Sequence, residues 1–118
     1  MNWSAIGACL LALAVGLGAF GAHGLRGKLD AYSMSVYEKA VFYHFIHAIG
    51  LLVVPLLCRS KTGDFVCWLL MAGILLFSGS LYLLAVTGVR TLGMITPLGG
   101  VAFIAAWVLL AIELFRRP

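Results

Sequence analysis

The stretch Tyr37–Leu57 reads YEKAVFYHFIHAIGLLVVPLL, and its reading decides the fold. It is 21 residues of mostly apolar side chains, enough for one bilayer crossing of about 20 residues. Its first half nevertheless carries Glu38, Lys39, Tyr43, His44 and His47. Titratable groups inside a membrane helix are costly, so they turn inward and mark either a packing cluster or a pathway.

Working outward, three more segments of the same kind appear. They run from about Trp3 to Ala22, from about Phe65 to Thr87, and from about Ile95 to Phe115. The 118 residues include only 10% charged side chains, against about 25% in an ordinary soluble domain. Four crossings account for most of the chain and leave no length for a soluble module. The turns Arg59–Asp64 and Gly88–Gly93 are short, which makes successive spans antiparallel neighbours. The predicted fold is therefore all-α: one transmembrane domain, an up-down-up-down four-helix bundle. Leu25, Leu29, Tyr32 and Val36 share a helical face, which predicts a short interfacial helix between spans one and two. Asp64 and Thr96 stand where helix caps belong, and Pro97 suits a first helical turn. The N-terminus lacks the positively charged start of a signal peptide and reads as the first membrane helix.

Ser4, Ala8, Ala12 and Gly16 recur every four residues, and Gly79, Gly99 and Gly100 supply small surfaces on spans three and four. Such residues let helix backbones approach closely in lipid, so these are the predicted packing positions. The eight Lys and Arg residues form no run, which argues against nucleic acid and leaves membrane lipids as their partners. Arg59, Lys61, Arg116 and Arg117 lie on the N-terminal side, and Arg26, Lys28, Lys39 and Arg90 on the other. The count ties. Lys39 falls within a span and weighs less, which tips the orientation toward cytoplasmic termini. Cys9, Cys58 and Cys67 form no C-x-x-C pair and read as small apolar packing residues.

The candidate site follows from depth. Span one ends and span two begins away from the N-terminus, and span three ends there too. His23 is then at that surface, with Tyr43, His44 and His47 one to two turns inside and Tyr82 about 9 Å below its exit. His23, Glu38, Tyr43, His44, His47, Ser78, Tyr82, Arg90 and Thr96 thus populate one half of the bundle, and a small polar cavity is expected there. The residues leave three uses open. A hydrogen-bonded cluster that fixes helix register is preferred. Proton or ion passage through His47, His44 and Glu38 is the second. Metal or haem ligation by His23, His44 and His47 is the third. Ser78 and Ser80 have no placed base and carboxylate, so no enzymatic activity and no cofactor are expected. An interfacial pair of Glu113 with Arg116 or Arg117 is expected at the other end.

The blocks Gly18–Leu25 (GAFGAHGL), Tyr43 through His47 and Ala48, Leu76–Tyr82 (LFSGSLY), Ile95–Gly100 (ITPLGG) and Trp107 resemble the YgdD/YwdK-like family of small bacterial membrane proteins. The chain departs from that family's pattern at His44, where glutamine is expected, and at Ala106, where glycine is expected. The first departure shifts the weight of any site toward His23 and His47. The resemblance implies a four-span protein of the bacterial inner membrane and implies no activity. A structural or accessory component that packs as a homo-oligomer or within a larger complex is the expectation.

Overall fold

A computed structural model describes all 118 residues. Helix α1 (Trp3–Phe20) runs on through a π-helical turn at Gly21–Leu25, and α2 spans Ala31–Leu57. The third rod is α3 (Lys61–Gly73), a π-helical turn (Ile74–Ser78) and α4 (Gly79–Thr87). A 3-10 turn at Arg90–Met94 leads into α5 (Thr96–Phe115). The four rods, of mean hydropathy 2.0–2.2, are long and apolar enough to cross a membrane. The four-helix, all-α membrane fold expected from the sequence is what forms.

Local chemistry sets the ends. Asn2 accepts from the Ala5 amide (3.0 Å), Asp30 from Ser33 (2.7 Å), and Ser60 from Gly63 (3.4 Å). Each satisfies an amide that the helix start leaves open. The Ser33 amide holds the Asp30 carboxyl below its ordinary range. Gly88, at φ 73°, closes α4 in the left-handed conformation that side chains disfavour. Pro55 lies two residues before the end of α2, where its missing amide disturbs little.

Several expectations are corrected. No separate interfacial helix forms. The chain turns at Gly27 (φ 83°), and Ala31–Ser35 are the first turns of α2. Leu25 and Leu29 pack inward against Val36, Tyr37, Leu84 and Ala85 instead of lying along the interface. Ser60, not Asp64, caps α3. Asp64 accepts from Trp3 Nε1 at 2.6 Å, tying the start of α1 to the start of α3. Thr96 caps nothing; its hydroxyl meets Ser80. Glu113 makes no ion pair, and Arg117 donates instead to the Leu57 carbonyl.

The rods do not contribute equally to the core. α2 and the α3–α4 rod form the middle, with α1 packed on α2 and α5 packed on α3 and the π turn. The packing face of α1 is Trp3, Gly7, Ala14 and Gly21, the last three seven residues apart. Of the predicted ridge only Ser4 is used inside the bundle, its hydroxyl donating to the Leu52 carbonyl (2.9 Å). Ala8, Ala12 and Gly16 are exposed on the outer face, and a Cβ on Gly16 would meet nothing within 4 Å. On the other flank Gly99 sits directly on the Phe77 backbone. Gly100 and Gly79 have ordinary clearance, 3.8 Å to the Phe77 ring and 3.9 Å to the Ile74 carbonyl. Four-residue spacing found small residues, but the seam runs with a seven-residue repeat, the period of left-handed packing.

The larger apolar cluster fills the half of the bundle nearest the termini, around Leu51, Val54, Val66, Leu70 and Phe103. A smaller one, Val36, Tyr37, Leu84 and Ala85, lies toward the other end. Along α2, His44 stands between the two.

Candidate functional site

The π turn at Ile74–Ser78 is the junction from which the polar residues are placed. Its wider winding carries the Gly79 amide to the Ile74 carbonyl, five residues back. This aims Ser78 at α2, where its buried hydroxyl donates to the Ala40 carbonyl at 2.9 Å. Phe77 turns toward α5 and meets Gly99. One turn on, Ser80 donates to the Phe77 carbonyl (2.9 Å), and the Thr96 hydroxyl meets Ser80 Oγ at 2.6 Å. Because Ser80 has given its proton to a carbonyl, Thr96 is the donor.

His44 is the most enclosed of the histidines, 1% exposed. Its Nδ1 pairs with the Tyr82 hydroxyl at 2.8 Å across the α2–α4 contact. Its Nε2 is buried without a hydrogen-bond partner. It approaches the Leu10 carbonyl of α1 but makes no bond there. Tyr82 also meets the Tyr37 ring edge-on at 5.4 Å, and the Tyr37 hydroxyl donates to the Leu17 carbonyl of α1. A line of polar contacts therefore joins α1, α2 and α4.

His47 has a different surrounding. Its Nδ1 bonds the Tyr43 carbonyl one turn back (2.7 Å), so Nδ1 carries the proton. Its ring stacks on Phe103 with centroids 3.4 Å apart and planes 9° apart, and Trp107 lies 5.8 Å away. Tyr43 runs parallel to His47 at 6.1 Å and packs on Phe77 at 4.5 Å. These contacts join α2 to α5 through aromatic faces, each such pair adding about 0.5–1.5 kcal/mol beyond simple burial.

The other expected members lie elsewhere. His23 is exposed in the turn that ends span one. Glu38 is exposed and lines a shallow 150 Å³ recess with Arg26 on the outer side of the α1–α2 seam. Arg90 covers the Tyr32 ring, 4.5 Å from its centroid, above the membrane end. The metal set His23, His44 and His47 is not brought together, and no three His, Cys, Asp or Glu side chains converge on a common point. The expected weighting of His23 over His44 is reversed: His44 is the buried residue with a cross-helix partner.

The predicted polar cavity does not open around the histidines. The largest cavity, 390 Å³, is at the opposite end, lined by Trp3, Ser4, Cys58, Arg59, Ser60 and Asp64. Cys58 and Cys67 are buried there as free thiols. The serine before α3 was a usable sequence signal for this corner. The Trp3–Asp64 bond, 61 residues apart in the chain, had none.

Comparison with known proteins bears on this arrangement. A family model described as "Protein of unknown function (DUF423)" matches residues 17–100, more than half of the chain. Three relatives carry the name UPF0382 membrane protein. YwdK of Bacillus subtilis is 51% identical over 111 residues, covering 91% of this chain and 90% of its own. SH2409 of Staphylococcus haemolyticus is 49% identical, and SERP0230 of Staphylococcus epidermidis 53%, each over 113 residues, 94% of this chain and 93% of its own. No solved structure matches. The matched segment contains every residue of the His44–Tyr82, Tyr43–Phe77 and Ser80–Thr96 contacts and ends just short of Phe103. With four membrane-length helices and these relatives, the chain is a multi-pass membrane protein that belongs to the DUF423 family.

Proposed function

We propose that this protein is a non-enzymatic structural or accessory component of the bacterial inner membrane, a single four-span domain whose intramembrane polar side chains fix the register of its helices. One observation carries the reading. His44, His47, Ser78, Ser80 and Tyr82 all spend hydrogen-bonding groups on other parts of the chain, and the two imidazoles are enclosed by neighbouring side chains. Such bonds in lipid are modest, about 0.6 kcal/mol on average. They fix which residues face one another, which apolar contact alone fixes poorly when lipid is as apolar as the helices. The outward positions of Ala8, Ala12 and Gly16 support association with a second copy or a larger complex. With Lys39 inside α2 and weighing less, Arg59, Lys61, Arg116 and Arg117 at the end that holds both termini support a cytoplasmic placement of that end.

The test is purification at native expression level, followed by metal analysis, visible absorption and unfolding in mixed micelles. The wild type is expected to carry no stoichiometric metal or haem. His47→Ala removes the ring stacked on Phe103 and is expected to lower stability by about 1–2 kcal/mol without removing a bound species. A stoichiometric metal or absorption band lost in His47→Ala overturns the reading.

A second reading has its own support. His44 Nε2 is a buried polar atom without a partner, and such atoms call for an explanation. Binding of a proton or small polar molecule at His44 would supply one. Proton flux into vesicles that depends on His44, above that of protein-free vesicles, would favour it over the register role.

A further inference from the structure

A groove runs along the outside of the bundle between α2 and α5. It encloses about 290 Å³ and is lined by apolar residues, among them Ile46, Ile49, Gly50, Val53, Leu57 and Trp107. Gly50 gives it depth, because a Cβ there would already stand 3.0 Å from the Trp107 ring and 3.1 Å from Leu70. From Ile46 to Leu57 the groove covers about 17 Å of helix. Half of a typical hydrocarbon core is about 15 Å. The groove is therefore one leaflet long.

Its mouth is at the end of the bundle that holds both termini. Leu57 lines the groove, and Arg117 donates to the Leu57 carbonyl, which sets a guanidinium at the opening. Arg116 adjoins it, and Arg59 and Lys61 follow Leu57 in the turn. Four basic side chains at this end face only two acidic ones, Asp64 and Glu113. Asp64 already holds Trp3. An apolar slot of leaflet depth below a cationic rim matches an amphiphile with an anionic head and a hydrocarbon tail. A second copy of this chain would bring its own basic residues to the same rim.

We propose that this groove is a binding site for an anionic phospholipid, one acyl chain lying along α2 against Trp107 and the phosphate held by Arg116 and Arg117. Neither arginine is spent on a carboxylate within the chain, so both are available to a phosphate. A guanidinium suits that role because its planar fork pairs with two phosphate oxygens. The rim supplies headgroup preference and the groove supplies hold on the tail.

Native mass spectrometry of the full chain tests this, after detergent exchange and incubation with equal amounts of phosphatidylglycerol and phosphatidylcholine. The wild type is expected to retain one phosphatidylglycerol per chain, preferred by about fivefold for each contributing arginine. Arg116→Gln with Arg117→Gln is expected to bring the two lipids to parity. Val53→Trp fills the groove from its lipid-facing side and is expected to release both. Val101→Trp, on an exposed position of α5 outside the groove, is expected to retain the lipid as wild type does. No retained lipid, no loss in Val53→Trp, or no change of preference in the arginine pair overturns the site. So does a lipid-free dimer that Val53→Trp dissociates, which assigns the groove to a second copy. Should Val53→Trp fail to fold, the arginine pair alone decides.

Discussion

Gly7→Val is expected to destabilise the bundle by about 3 kcal/mol or more, measured by dodecyl sulfate titration in mixed micelles with tryptophan fluorescence. A Cβ on Gly7 would stand 2.7 Å from the Leu52 nitrogen, 2.9 Å from the Ala48 carbonyl oxygen and 3.1 Å from the Leu51 carbonyl carbon. All three are backbone atoms of α2, so no side chain can rotate away. The helix itself must move, and with it Ser4, whose hydroxyl bonds Leu52, and Trp3, which holds Asp64. Helix propensity works in the opposite direction, since any side chain relieves the conformational freedom of glycine by about 0.5–1 kcal/mol. The collision is larger and wins. Gly16→Ala in the same helix isolates the propensity term, because its Cβ meets nothing within 4 Å. It is expected to be neutral or slightly stabilising. Equal loss at both positions would show that α1 does not pack on α2 through Gly7.

Gly99→Val is expected to do comparable damage on the other flank, about 3 kcal/mol or more. Its Cβ would fall 2.7 Å from Phe77 Cβ and 2.8 Å from Phe77 Cα, and closer still to the Phe77 nitrogen. Phe77 is inside the π turn, so its backbone is fixed by the same winding that aims Ser78 at Ala40. Displacing α5 would also part Thr96 from Ser80 and Phe103 from His47. Gly100→Ala is the control, with its nearest contact at 3.8 Å on the Phe77 ring. It is expected to change stability by less than about 0.5 kcal/mol. The same titration measures both, and a tolerated Gly99→Val would contradict the close approach of α5 to the π turn.

Much of this architecture was legible in the sequence, because bilayer thickness and backbone hydrogen bonding leave few options for four apolar runs joined by short turns. The depth of His44, His47 and Tyr82 followed from counting residues. What could not be read was direction around each helix. The spans are apolar on nearly every face, so the 3.6-residue period that separates inside from outside in a soluble helix is faint here. This is why Ala8, Ala12 and Gly16 attracted a packing role that Gly7, Ala14 and Gly21 carry. It is also why His23 was grouped with His44, although the turn after Phe20 leaves it exposed. The π turn at Ile74–Ser78 left no mark in the sequence. It shifts every later residue of that rod around the axis, so the Tyr82 that meets His44 could be placed by depth but not by face.

The arrangement rests on one claim: the buried imidazole of His44 and the hydroxyl of Tyr82 hold α2 to α4. A double-mutant cycle with His44→Leu, Tyr82→Phe and the double variant, unfolded in mixed micelles, tests it directly. The predicted coupling is about 0.5–1.7 kcal/mol, the range found for hydrogen bonds between membrane helices. Each single variant is expected to be less stable than the wild type. Additive effects within about 0.3 kcal/mol, with single variants as stable as the wild type, would contradict the claim and leave the pair to serve something other than the fold.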